Sequence, residues 1–123
     1  MGFLIVFIGS GIGGALRHGV GIAAARWFGS SYPFGTLAIN VAGSFVIGLV
    51  AGWFALRGQA DQSARLFLTT GVLGGFTTYS AFALESAMLW QRGQTGAAFL
   101  YVAGTITLAL LAVSAGLALT RSG

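Results

Sequence analysis

The sequence predicts an all-α membrane protein, with four transmembrane helices in a single domain over residues 1–123 and the third helix broken at mid-membrane. Three observations predict it. Hydrophobic residues make up 56% of the chain and charged residues 7%, against about 25% charged in a soluble domain. The few charges bound uncharged runs near the roughly 20 residues that a helix needs to cross the hydrocarbon core. Glycines and threonines gather in the middle of the third such run, at residues 71–78.

The same composition excludes several classes. Six Arg, no Lys and two acids cannot coat a soluble globule, build a basic face for nucleic acid, or keep a chain disordered. The isoelectric point near 10.8 reflects a scarcity of acids. The absence of Cys removes disulfides, thiolate nucleophiles and thiolate metal ligands. With one His and no acid pair, an enzyme is not expected.

The first span, near 3–26, is apolar but interrupted by Arg17 and His18. It lacks the basic n-region of a signal peptide. The second span, near 34–56, carries no charge up to Leu56; Ser30, Ser31 and Pro33 before it suit a helix start. The third, near 65–90, follows Asp61, Gln62 and Ser63, which offer caps. The fourth, near 96–120, is uncharged from Gly93 to Thr120. Trp27, Trp53 and Trp90 fall at predicted span ends, where an aromatic belt belongs. Four spans use about 80 residues, so any chemistry must sit within the helices. Four thin helices do not easily enclose a polar conduit, which makes oligomerisation the economical solution. Small residues four apart at Gly9/Gly13, Gly48/Gly52 and Gly71/Gly75 let helix backbones approach closely in lipid.

Arg counts in the loops leave orientation open. Arg57, Arg65 and Arg121 fall on one side, Arg26 and Arg92 on the other. Either this weak bias sets one orientation, or copies insert both ways and pair antiparallel.

Polar residues inside a membrane are costly and therefore functional candidates. Arg17 could line an anion vestibule or snorkel to the interface; His18 is read as a packed neutral imidazole. Asn40 and Ser44 share a face of the second helix. An amide offers donors without charge, so Asn40 could solvate an anion, or it could hydrogen-bond a neighbouring helix. In the third span, Gly71, Gly74 and Gly75 with Thr77 and Thr78 make poor helix. A break there would expose backbone carbonyls, which serve as Na⁺ ligands at broken helices; a glycine kink for packing is the alternative. Tyr79 and Phe82 share a face just after the break, and Glu85 and Ser86 continue it. Ring edges carry partial positive charge and could line an anion path, or the pair could be a hydrophobic stripe. Glu85, the one acid within a span, pairs with Arg17 or lies near the interface. Tyr101 and Thr105 share a face of the fourth helix, and Thr107 with Ser114 forms a second polar pair.

Three stretches carry a resemblance: Gly13-Gly14-Ala-Leu-Arg17, Gly35-Thr36-Leu-Ala-Ile-Asn40, and Gly74-Gly75-Phe-Thr77-Thr78-Tyr79-Ser80-Ala-Phe82. Together with length, span number and order, they resemble the CrcB/Fluc fluoride channel family. The resemblance implies passive fluoride export through an antiparallel, dual-topology homodimer in the bacterial inner membrane. It implies two pores and a structural Na⁺ on the dimer axis. It implies that Asn40 is the pore asparagine and that Tyr79 and Phe82 are the box rings whose edges contact fluoride. Gly74 and Thr77 match the residues whose carbonyls hold Na⁺. Arg17 matches the arginine of the first helix, Glu85 the acid after the box, and Tyr101 and Thr105 a hydroxyl track on the fourth helix. Ser80, inside the third motif, goes with them in the fluoride pathway. The expected partners are fluoride, a second copy and the lipid bilayer, with no nucleic acid.

There are two departures: Tyr79 stands where Phe is commoner, and Ala81 where Ser or Thr is often found. Neutral amide, hydroxyl and ring-edge donors suit fluoride, because conduction needs weak, multi-site binding. The competing function is a small multidrug-resistance-type proton-coupled exporter. It would need a carboxylate in the first helix, which holds no Asp or Glu. A purely structural subunit would not need a mid-membrane break.

Overall fold

A computed structural model describes residues 1–29, 33–57 and 62–122. The expected caps Ser30, Ser31 and Asp61 lie outside the described residues, as do the side chains of Arg57, Gln62 and Arg121.

The described residues are helical with short connections. Helix α1 covers Gly2–Phe28 and α2 covers Phe34–Arg57, starting directly after Pro33. The third predicted span is assembled from pieces: α3 (Gln62–Leu66), a π-helical segment (Phe67–Leu73), α4 (Gly74–Phe76) and α5 (Tyr79–Gln91). Helix α6 covers Thr95–Ser122. Three helices are continuous, long and apolar enough to cross a membrane, over Gly2–Phe28, Phe34–Phe54 and Thr95–Thr120. The third span reaches four-helix architecture only as a bent, interrupted element. The helix ends lie within three residues of the expected ones.

The break falls on the threonines. Thr77 (φ −84°, ψ 160°) and Thr78 (φ −150°, ψ 124°) are extended, a conformation that β-branched side chains favour. Gly74 stays helical, with φ −62° and ψ −39°. The new helix is capped at once, because Thr78 Oγ1 accepts from the Ala81 amide at 3.2 Å, the bond of an N-cap. At the far end of α5, Gly93 (φ 81°) donates to the Trp90 carbonyl at 3.1 Å and Gln94 to Leu89 at 3.0 Å. That left-handed glycine closes the helix as a Schellman motif does.

The glycines expected to mediate packing do so. Helix α1 lies against the π segment and α4, and α2 lies against α6. A Cβ on Gly9 would sit 2.9 Å from Gly71 Cα, and one on Gly75 would sit 2.8 Å from Ser10 Cα. A Cβ on Gly116 would sit 2.7 Å from Leu49 N and 3.0 Å from the Gly48 carbonyl carbon. These backbones touch, so only glycine fits, as in the small-residue interfaces of membrane helices. The small core of Leu89, Ala98 and Tyr101 joins α5 to α6. Many large apolar side chains face outward, among them Phe3, Phe7, Leu100 and Leu111, as a surface in contact with lipid requires.

Candidate functional site

The break is pinned from α2. Asn40 Nδ2 donates to the Thr78 carbonyl at 3.0 Å, and the Thr78 amide donates to Asn40 Oδ1 at 3.0 Å. One side chain therefore satisfies both polar groups of an extended residue. A broken helix would otherwise leave them orphaned at high cost in lipid. The Asn amide has two N–H groups. One is spent on Thr78, and Asn40 also lines a cavity.

That cavity, about 360 Å³, is bounded by Asn40, Ser44, Thr78, Tyr79, Phe82 and Thr105 among others. Its aromatic wall is a chain of rings. Tyr79 and Phe82 meet edge to face at 5.9 Å between centroids, and Phe82 lies 5.3 Å from Tyr101 at a 46° tilt. Tyr101 is buried, and its hydroxyl donates to Glu85 Oε1 at 3.3 Å. Tyr79 is 81% exposed, so its ring stands at the open side. Among the described residues, Thr105 Oγ1 is buried with no hydrogen-bond partner. A buried hydroxyl without a partner costs about 1–3 kcal/mol.

A second cavity, about 440 Å³, is lined by Arg17, His18, Thr78, Ala81 and Glu85 among others. Thr78 borders both cavities, so the pinned break stands between them. Arg17 Nε donates to the Gly75 carbonyl at 3.1 Å. Arg17 and Glu85 share this cavity but are engaged separately, the one with Gly75 and the other with Tyr101. His18 is exposed rather than packed.

The backbone at the break has lost its helical donors, and two of the carbonyls concerned belong to expected Na⁺ ligands. In an α-helix each carbonyl accepts from the amide four residues on. The Thr78 amide, which would serve Gly74, goes to Asn40. The Ala81 amide, which would serve Thr77, goes to the Thr78 hydroxyl. Gly74 and Thr77, the two expected Na⁺ ligands, are the residues so released. Their oxygens are hard neutral donors of the kind alkali and alkaline-earth cations take, so the residues fit the expected ion. The Thr77 side chain is occupied elsewhere, since its hydroxyl donates to the Leu73 carbonyl at 2.9 Å.

The structure thus gathers Asn40, Tyr79, Phe82 and Thr105 round one cavity, with Tyr101 packed against Phe82, and Arg17 and Glu85 round the adjoining one. Ser80 is exposed and lies 3.4 Å from the Thr78 hydroxyl. Ser86 is turned back onto its own helix, donating to the Phe82 carbonyl at 2.7 Å. Thr107 and Ser114 are exposed and border neither cavity. From the sequence Thr78 was expected only to help break the helix; that it also caps α5, clamps Asn40 and borders both cavities was not foreseen. Its signal was local: a β-branched hydroxyl residue three before Ala81, at the start of an apolar helix. The π segment also went unforeseen; such segments are rare and often sit at functional sites.

Residues 4–117 match the family described as CrcB-like protein, Camphor Resistance (CrcB). The chain belongs to the CrcB-like family. It is 54% identical over 121 residues to "Fluoride-specific ion channel FluC 2" of Nitrobacter hamburgensis, covering 98% of each chain. It is 57% identical over 118 residues to "Fluoride-specific ion channel FluC" of Methylobacterium nodulans, covering 96% of this chain and 94% of that one. A Rhodopseudomonas palustris protein of the same name is 49% identical over 122 residues. Membership of the CrcB-like family and the apolar helices make the chain a multi-pass membrane protein.

Proposed function

We propose that this protein is a fluoride-selective channel that lets fluoride leave the cell passively down its gradient. What carries this reading is full-length similarity to chains named fluoride-specific ion channels, 49–57% identical. The donor set is its physical support. Fluoride holds water strongly, so a pore must offer compact donors in place of that water, each weak enough to let the ion go. The remaining N–H of Asn40, the Thr105 hydroxyl and the ring edges of Tyr79 and Phe82 are neutral donors around one cavity. Tyr101 holds the Phe82 ring from behind, and Ser80 and Glu85 border the route. Arg17, in the adjoining cavity, raises the local anion concentration without standing among the ring-edge donors.

The working unit is an antiparallel homodimer with two pores. The ring of Tyr79 is open to the surface in one subunit, and a second copy would close the cavity it borders. A structural Na⁺ would be held by the carbonyls of Gly74 and Thr77 from both subunits. When bound, that ion supplies positive charge to four backbone oxygens left by the broken helices. No residue set for proton-coupled exchange stands in the first helix, which disfavours an exporter of the small multidrug-resistance type.

The test is fluoride efflux from liposomes containing the purified protein. Rapid fluoride release with little chloride release is expected. Fluoride release no faster than from protein-free liposomes overturns the proposal.

A further inference from the structure

Gly9, Gly13 and Arg17 are spaced four apart on one face of α1. A Cβ on Gly9 would lie 2.9 Å from Gly71 Cα, and one on Gly13 would lie 2.7 Å from the Phe76 amide nitrogen. The two glycines therefore press the α1 backbone onto the π segment and α4. The next residue on that face, one turn on, is Arg17, and its Nε reaches the Gly75 carbonyl at 3.1 Å. In an unbroken helix that carbonyl would accept from the Tyr79 amide, which here opens α5 beyond the extended pair. Four carbonyls at the end of the first half-helix, those of Gly74, Gly75, Phe76 and Thr77, thus lose their helical donors. Arg17 takes the one on Gly75.

We propose that Arg17 is a positioning residue for the sodium site. Its Nε–H holds the Gly75 carbonyl and fixes the end of α4. That withdraws Gly75 from the oxygens open to the ion, while those of Gly74 and Thr77, the expected ligands, stay available. The assignment rests on the sodium reading above. It divides the labour at a helix C-terminus, where negative partial charge accumulates and cations are favoured. The guanidinium satisfies the Gly75 oxygen from the α1 side, and the Gly74 and Thr77 oxygens would hold the ion. This role is separate from attracting anions, because it depends on a hydrogen at Nε and not on the charge.

That difference can be read out. Arg17→Gln puts an N–H of its amide at the position of Nε and removes the charge. Arg17→Met puts a methyl group there and removes both. Arg17→Lys puts a methylene there and keeps the charge one bond further out. Purified dimers, exchanged into N-methylglucamine, are titrated with NaCl while thermal stability and dimer content are followed. The Na⁺ midpoint should be close to wild type for Arg17→Gln. It should rise about fivefold for Arg17→Met and Arg17→Lys, the effect of losing one hydrogen bond of ordinary strength. Fluoride efflux, measured beside it, should follow charge and fall for Arg17→Gln. Wild-type midpoints for Arg17→Met and Arg17→Lys would overturn the proposal, as would a midpoint for Arg17→Gln raised as far as theirs. Wild-type dimers indifferent to Na⁺ would instead overturn the sodium site itself, and this assignment with it.

Discussion

Asn40 and Thr78 exchange two hydrogen bonds of 3.0 Å, amide to carbonyl and amide to side-chain oxygen. Side chain and backbone pair as two peptide groups would in a ladder. This pairing explains how an extended residue survives between two helical segments. It also sets where the remaining Asn40 hydrogen is available.

Asn40→Asp tests both functions at once. A carboxylate still accepts from the Thr78 amide, but it cannot donate to the Thr78 carbonyl and it sets negative charge beside the path. Fluoride efflux should be abolished while the dimer still assembles on size-exclusion chromatography. Near-normal efflux would demote Asn40 to a packing residue.

Thr78 should tolerate Ser and resist Val. Thr78→Ser keeps the hydroxyl that accepts from the Ala81 amide. Thr78→Val loses this cap, at a cost of about 1 kcal/mol. Thermal unfolding in detergent should rank the variants wild type, Ser, Val. Equal stability of Val and wild type would count against the capping role.

Thr105→Val separates the pore from the core. The Thr105 hydroxyl is buried without a partner, so an isosteric methyl should leave stability unchanged or raise it by up to about 1–3 kcal/mol. Fluoride efflux should nevertheless fall. Efflux at the wild-type level in a protein of unchanged or greater stability would remove Thr105 from the path.

The aromatic wall makes a similar distinction. Phe82→Ile keeps apolar bulk but removes the ring edge that lies between Tyr79 and Tyr101. It should impair efflux strongly, although a volume-similar apolar swap usually costs less than about 1.5 kcal/mol in stability. Tyr79→Phe keeps the edge and should be near-silent if its hydroxyl is turned away from the path. A well-assembled Phe82→Ile dimer with wild-type efflux would dismiss the aromatic role.

Antiparallel assembly predicts that each terminus is found on both sides of the membrane across the population. Reporters active in only one compartment, fused in turn to the N- and C-termini, would show this. A terminus confined to one side would exclude the dual-topology dimer.

Residue chemistry alone determined the class of this protein. Four apolar stretches with eight formal charges between and within them admit only a membrane bundle, and their limits are set by charge cost and by proline and glycine punctuation. The seams at Gly9, Gly71 and Gly48 were legible too, because close backbone approach leaves no other residue type available. The candidate residues Asn40, Tyr79, Phe82 and Glu85 stood out because polar groups and paired rings are conspicuous against lipid-soluble neighbours. What the tertiary structure decided was who meets whom. No spacing rule says that Asn40 will clamp Thr78, 38 positions away in the chain, or that Arg17 will turn to Gly75 rather than to Glu85. These bonds join different helices, and their partners are chosen by which backbone groups the break leaves without donors. The location of the break itself was shared between the two levels. Glycines and threonines marked the region, but packing held Gly71 and Gly75 helical against α1, so the extended conformation fell to Thr77 and Thr78, whose β-branched side chains accept it.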